Sequence, residues 1–191
     1  MEGPLSAVPA PDAPLTDADL AGVPTLVHGQ TFEEMTVGNR FRTASRTITE
    51  TDLVTFVTLT GMNEPLFLDE AGSLDAGYAG RLVPGALVFS YAEGLVMQTG
   101  VIHGTGMAFL RADVSVQAPV FVGDTITVVV EVVASRAAST GARGVVTTRN
   151  TVVKRRGGTV LVYEPVRLIR GGAAVSEAGS GAPGASMPGQ E

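Results

Sequence analysis

The stretch that decides the fold runs from Thr60 to Gly94, TGMNEPLFLDEAGSLDAGYAGRLVPGALVFSYAEG, where irregular backbone feeds a strongly apolar helix. Gly61, Pro65 and Gly72 interrupt regular structure, and Pro84-Gly85 then opens a helical run from Ala86 to Met97. Leu87, Val88, Tyr91, Leu95 and Val96 share one stripe of that run, so the helix is expected to lie buried. Its first free N–H groups, those of Gly85 and Ala86, find no partner inside the helix and carry the positive end of its dipole. They suit a polarised carbonyl or an anion.

Upstream, Phe41 to Ile48 alternates imperfectly and predicts a first strand. Thr49-x-x-Asp52 resembles a capping box and starts a helix through Leu59, with Leu53, Phe56 and Val57 as its apolar residues and Gly61 as its stop. Downstream, four Val- and Thr-rich segments follow: Thr105 to Gln117, Asp124 to Ser135, Gly144 to Lys154 and Thr159 to Ile169. Pro119, Gly123, Gly141 and the Gly157-Gly158 turn separate them. Ile126, Val128, Val130 and Val132 fall on one face, as a half-buried antiparallel strand requires. One long helix followed by a run of strands is an α+β layout, an antiparallel sheet wrapped around a central helix.

The chain has 191 residues, 45% of them hydrophobic, enough for one domain with a real core but not comfortably for two. Residues 1–30, rich in Pro, Ala, Gly and Asp, read as a flexible tail, and the Gly/Ala/Pro-rich residues 171–191 as a disordered one. Residues 31–170 are left as the single domain. The chain contains no cysteine, which removes disulfides, thiolate metal sites and a thiol nucleophile. A net charge of −6 argues against nucleic acid as a partner. No apolar run is long enough for a membrane span and no signal peptide opens the chain, so a soluble, cytoplasmic protein is expected.

At Phe32 to about Arg170 these residues resemble a known family, the MaoC-like hydratases and dehydratases of hot-dog fold. The segment FLRADVSVQAPVFVGDTITVVVEV is similar to that family's sheet, FVTLTGMNEPLFLD to its catalytic loop, and PGALVFSYAEGL to its central helix. The resemblance implies reversible addition of water across the double bond of a trans-2-enoyl thioester on coenzyme A or acyl carrier protein, without a cofactor. It also implies pairing of subunits into a continuous sheet, as a homodimer or as a heterodimer with a second hot-dog chain. In the family an Asp and a His activate the water, while a glycine N–H at the helix start polarises the thioester carbonyl. The family loop reads Gly-Asp-x-Asn-Pro-x-His-x-Asp, and here Gly61, Pro65 and Asp69 hold the register. Met62 therefore stands at the Asp position, Glu64 at the Asn position and Phe67 at the His position. Neither Met62 nor Phe67 can move a proton. At the helix entrance Pro84-Gly85 replaces the usual His-Gly, and the glycine that supplies the carbonyl donor is kept.

The expected substrate-binding residues are Met62 and Phe67, as apolar tunnel lining, with Gly85, Ala86 and Tyr91 at the helix. Glu64 and His103 are the candidate catalytic residues. A carboxylate facing an apolar pocket gains basicity through desolvation, which would let Glu64 serve as a base; the alternative is a solvated glutamate bracing the turn. His103, in GVIHGTG, is either a general base or an ordinary turn residue. Asp69 is expected to brace the loop, and Ser90 to bond a backbone carbonyl one turn back or to line the pocket. Arg81, Arg111 and Arg143 are either phosphate contacts or plain surface charges. With one histidine in the domain, neither a Ser-His-acid triad nor a metal site finds its residues.

Overall fold

A computed structural model describes residues 27–172. In chain order the elements are β1 (Arg40–Thr47), α1 (Glu50–Thr60), α2 (Pro65–Leu68), α3 (Glu70–Asp75), α4 (Gly85–Gln98), β2 (Gly106–Val116), β3 (Thr125–Ala137), β4 (Arg143–Lys154) and β5 (Thr159–Arg170). The five strands form one antiparallel sheet in the order β1-β3-β4-β5-β2. The central helix α4 packs against β3, β1 and β5. This is the expected α+β arrangement, a hot-dog fold.

Local signals explain most boundaries. Thr49 caps α1: its hydroxyl accepts the Asp52 N–H at 3.2 Å, and the Asp52 carboxylate accepts the Thr49 N–H at 2.8 Å. Gly61 ends α1 in the left-handed region, φ 72°, which an L-residue adopts only with strain. The sequence reads the segment after Gly61 as irregular, whereas it holds two short helices. Pro65 presets the first turn of α2, and the Asp69 side chain caps α3 by accepting the Gly72 N–H at 2.6 Å. The expected tails lie largely outside the described residues. Where they are described they are tied down, because Gly29 and Gln30 donate to the carbonyls of His103 and Val101, and Gly171 donates to that of Ala142.

Alternation drives the core. Ile126, Val128, Val130 and Val132 all point inward, at 2% exposure or less. Ile126, Val128 and Val130 meet Leu87, Val88, Leu95 and Val96 of α4, with Val152, Leu161 and Tyr163 closing the cluster, while Val132 packs with Met35, Val146 and Ile169 in a second one. The Phe89 and Tyr163 rings meet edge to face, 5.1 Å between centroids. One charged pair enters this interior: Arg167 of β5, 7% exposed, donates to both carboxylate oxygens of Glu93 on α4 at 2.6 Å. In β1 the pairing register slips between Arg42 and Ser45, and Thr43 there accepts the Val128 N–H in its hydroxyl at 3.1 Å.

The edge strand β2 behaves differently from the rest. Met107, Phe109, Leu110, Val114 and Val116 are 44 to 61% exposed, and two register shifts interrupt its pairing with β5. Burial elsewhere sets a stability test. Leu87→Ala, at a fully buried site, is expected to cost about 2–5 kcal/mol. Leu59→Ala, at the exposed end of α1, should stay within about 0.5 kcal/mol of the parent. Urea unfolding of both variants measures the difference.

Candidate functional site

The irregular stretch packs against the start of α4 and leaves a cavity of about 400 Å³ between them, the size of a small-ligand pocket. Leu66, Phe67 and Tyr78 form one wall, Val88, Val160 and Leu161 the floor, and Val116 and Gln117 the outer rim on β2. Gly85 sits in the wall. A Cβ there would come within 3.0 Å of Val116 Cγ2, so glycine keeps the rim close to the helix start. The Gly85 and Ala86 N–H groups donate to no carbonyl among the described residues, whereas those of Leu87 and Val88 return to Pro84 O at 3.0 and 3.2 Å. Pro84 offers no side-chain cap. The cavity therefore pairs apolar walls with backbone donors at the positive end of a helix. Its lining contains no carboxylate and no imidazole.

Of the residues singled out in the sequence, Phe67 and Gly85 line this cavity. Met62 is half-buried and Ala86 exposed, both outside the lining. Glu64 is exposed at the N-cap of α2, where its side chain caps nothing, two residues before the Leu66 wall. His103 lies beyond the opposite end of α4, in a groove with Met97, Met107 and Phe109. Fourteen residues of helix at about 1.5 Å each separate the two ends by about 20 Å. Within one subunit His103 is thus remote from Gly85. Ser90 bonds Ala86 O at 2.8 Å, and Asp69 braces the loop through α3.

Arg81 is occupied in the scaffold. It donates to the carbonyls of Phe67 and Leu68, at 3.3 and 2.8 Å, and pairs with Glu50, tying the cavity wall to α1. Arg143 is held by Thr140 in its own turn, and Arg111 is exposed on β2.

Tyr91 belongs to a polar cluster that sequence reasoning missed. Its hydroxyl donates to Asp52 Oδ1 at 2.6 Å, Arg46 donates to the same oxygen at 3.0 Å, and the Arg46 guanidinium lies 3.9 Å from the Tyr91 ring centre. Burial and the bond to Asp52 push the Tyr91 phenol up to about 12. Desolvation works to raise the Asp52 pKa, but hydrogen bonds from Tyr91, Thr49 and Arg46 outweigh it and hold the carboxyl well below the usual range. The cluster fastens α1, α4 and β1 to one another. Only the capping-box spacing of Asp52 was visible in the sequence.

Comparison with known proteins agrees with this architecture. The family model described as MaoC like domain matches residues 32–154. The chain is 33% identical over 104 residues to the (R)-specific enoyl-CoA hydratase of Aeromonas caviae, covering 54% of this chain and 75% of that one. It is 36% identical over 100 residues to protein MaoC of Klebsiella aerogenes, a match that spans 51% of this chain and only 29% of that longer protein. Among solved structures, a monoamine oxidase regulatory protein from Archaeoglobus superposes with a TM-score of 0.70 at 33% identity, covering 76% of this chain and 97% of that one.

The Asp52 cluster generates a pH test. Because the folded pKa is depressed, its stabilisation is complete above the unfolded value, about 4, and is lost as pH falls toward the folded one. The urea midpoint should therefore drop as pH falls below about 5. Asp52→Asn, which forfeits the charge at every pH, should be less stable at pH 7 and show a shallower acid slope.

Proposed function

Because the chain belongs to the MaoC-like domain family, whose characterised members include enoyl-CoA hydratases, we propose that it takes an acyl thioester into the cavity beside Gly85. The carrier is coenzyme A or acyl carrier protein, and the reaction is of hydratase or dehydratase type, run without the family's Asp and His. The observation that carries this reading is the apolar cavity with unpaired helix N–H groups in its wall and no ionisable carboxylate or imidazole in its lining.

The chemistry follows from that geometry. A thioester carbonyl accepting the Gly85 N–H is polarised, so negative charge arriving when hydroxide adds at C3 is stabilised at the oxygen until C2 takes a proton. Elimination runs the same steps backwards. Phe67 and Leu66 hold the acyl chain and exclude water. The proton must then come from outside the lining, and Glu64, exposed at the start of α2 two residues before Leu66, is the carboxylate assigned to it. Such groups contribute about a hundred- to ten-thousand-fold each, so a subunit without the standard pair should be a slow catalyst.

The same lining supports a second reading, in which this chain shapes the acyl tunnel of a heterodimer whose other hot-dog subunit carries the proton-transfer groups. One structure of similar fold, at 18% identity, is a 3R-hydroxyacyl-ACP dehydratase complex from Mycobacterium tuberculosis. A neighbouring gene for a second hot-dog chain with an intact Gly-Asp-x-Asn-Pro-x-His loop would favour that reading.

Butyryl-CoA binding by calorimetry and crotonyl-CoA hydration by absorbance test the proposal together. Saturable butyryl-CoA binding is expected, with hydration far below the rate of an efficient enzyme. Glu64→Gln should lower that residual rate at least about a hundredfold and leave butyryl-CoA affinity nearly unchanged, the pattern of a group acting mainly in the transition state. An equally active Glu64→Gln variant rejects the role of Glu64, and absence of acyl-CoA binding rejects the ligand class.

A further inference from the structure

Among the side chains that line the cavity, only those of Tyr78 and Gln117 can form hydrogen bonds. Gln117 is exposed on the outer rim, and its amide donates to Ser115 Oγ at 2.7 Å. Tyr78 is half-buried in the wall with Leu66 and Phe67, and its hydroxyl forms no hydrogen bond with another described residue. The ring is held by packing instead, edge to face with Phe121 at 6.5 Å between centroids. An apolar wall thus carries one unclaimed phenol.

The chain is fastened closely around it. Gly77 turns through the left-handed region, φ 85°, just after α3, and the next N–H, that of Tyr78, donates to Ser73 O at 3.1 Å. Ser73 then clamps the residues that follow. Its fully buried hydroxyl donates to Gly80 O at 2.5 Å and accepts the Leu82 N–H at 3.2 Å. On the far side the Val122 N–H donates to Arg81 O at 3.1 Å and the Val83 N–H to Val120 O at 2.8 Å. Residues 78–82 are therefore tied down along their length, and the phenol is positioned before any ligand arrives.

A thioester carbonyl that leaves water for an apolar cavity brings an oxygen with two lone pairs, and a lone pair left unanswered there costs stability. The Gly85 N–H answers one. We propose that the Tyr78 hydroxyl donates to the other, so that a side chain from the wall and the end of α4 hold the carbonyl oxygen between them. This assignment rests on the acyl-thioester reading of the cavity, and it holds whether this subunit or a partner moves the proton. The phenol keeps its own proton in this role, so it supplements Glu64 and does not replace it. Two fixed donors aimed at one oxygen matter most when negative charge collects on it, and turnover should therefore suffer more than binding when one is removed.

Tyr78→Phe removes the oxygen and keeps the ring against Phe121, so the wall stays packed. Infrared difference spectra of bound butyryl-CoA, isotope-labelled at the carbonyl, read the polarisation directly. The parent should lower the carbonyl stretch relative to the same thioester in an aprotic solvent, and Tyr78→Phe should forfeit at least about a third of that shift. Butyryl-CoA affinity by calorimetry should change less than about fivefold, while residual crotonyl-CoA hydration falls at least about tenfold. If the parent shows no measurable hydration, the spectrum decides alone. A carbonyl frequency that is the same in Tyr78→Phe and the parent would overturn the proposal and leave the ligand class standing, as would a loss of affinity without a spectral change. A parent that fails to bind butyryl-CoA would reject the ligand class and this assignment with it.

Discussion

One helix has to cover the inner face of five strands, and it is too narrow to do so. The α4 helix supplies Leu87, Val88, Leu95 and Val96 to a core built from β3, β4 and β5, and burying each such side chain is worth about 1.5–3 kcal/mol. The sheet curls around what the helix offers. The last strand in the order, β2, falls outside the helix footprint and keeps its apolar side chains in the open. Two consequences share this origin. The start of α4 approaches β2 at Val116 beside the cavity, and the other edge of β2 is left unpaired within the subunit.

The cavity is defined more by backbone than by side chains. Its polar feature is the end of a helix, whose orphan N–H groups need no particular residue beyond a glycine small enough to admit Val116 at 3.0 Å from where a Cβ would be. This allows Phe67 to occupy the wall without disturbing the carbonyl-facing end. The surrounding loop is fastened independently of ligand, by Arg81 to the carbonyls of Phe67 and Leu68 and by Asp69 to Gly72. Wall, floor and helix-end donor are thus set by the fold.

Much of the fold was legible because its signals are local. Alternation in β3, the capping box at Thr49 and the Pro84-Gly85 helix start all act within a few residues, and the observed elements fall within about two residues of the expected bounds. The two short helices after Gly61 were not legible, since α2 and α3 together rest on one proline and one Asx cap inside a segment full of breakers. Side-chain destinations were harder still. Tyr91 lies on the apolar stripe by spacing, yet its hydroxyl is claimed by Asp52, 39 residues away in sequence, and no local pattern encodes that partnership. His103 poses the same difficulty: proximity in sequence did not reveal that it lies in a groove beyond the end of α4 remote from Gly85.

The Glu93–Arg167 pair gives the helix a key. An apolar stripe is nearly indifferent to small translation along its own axis, because Val and Leu neighbours can be exchanged for one another with little loss. A carboxylate holding a guanidinium at 2.6 Å, in a site where Arg167 is 7% exposed, is not indifferent. A slide of one residue moves the helix by about 1.5 Å and leaves a desolvated cation without its partner. The peg sits two turns below Gly85, so the height at which the N–H groups stand above the cavity floor is set by electrostatics in the interior rather than by contacts at the mouth.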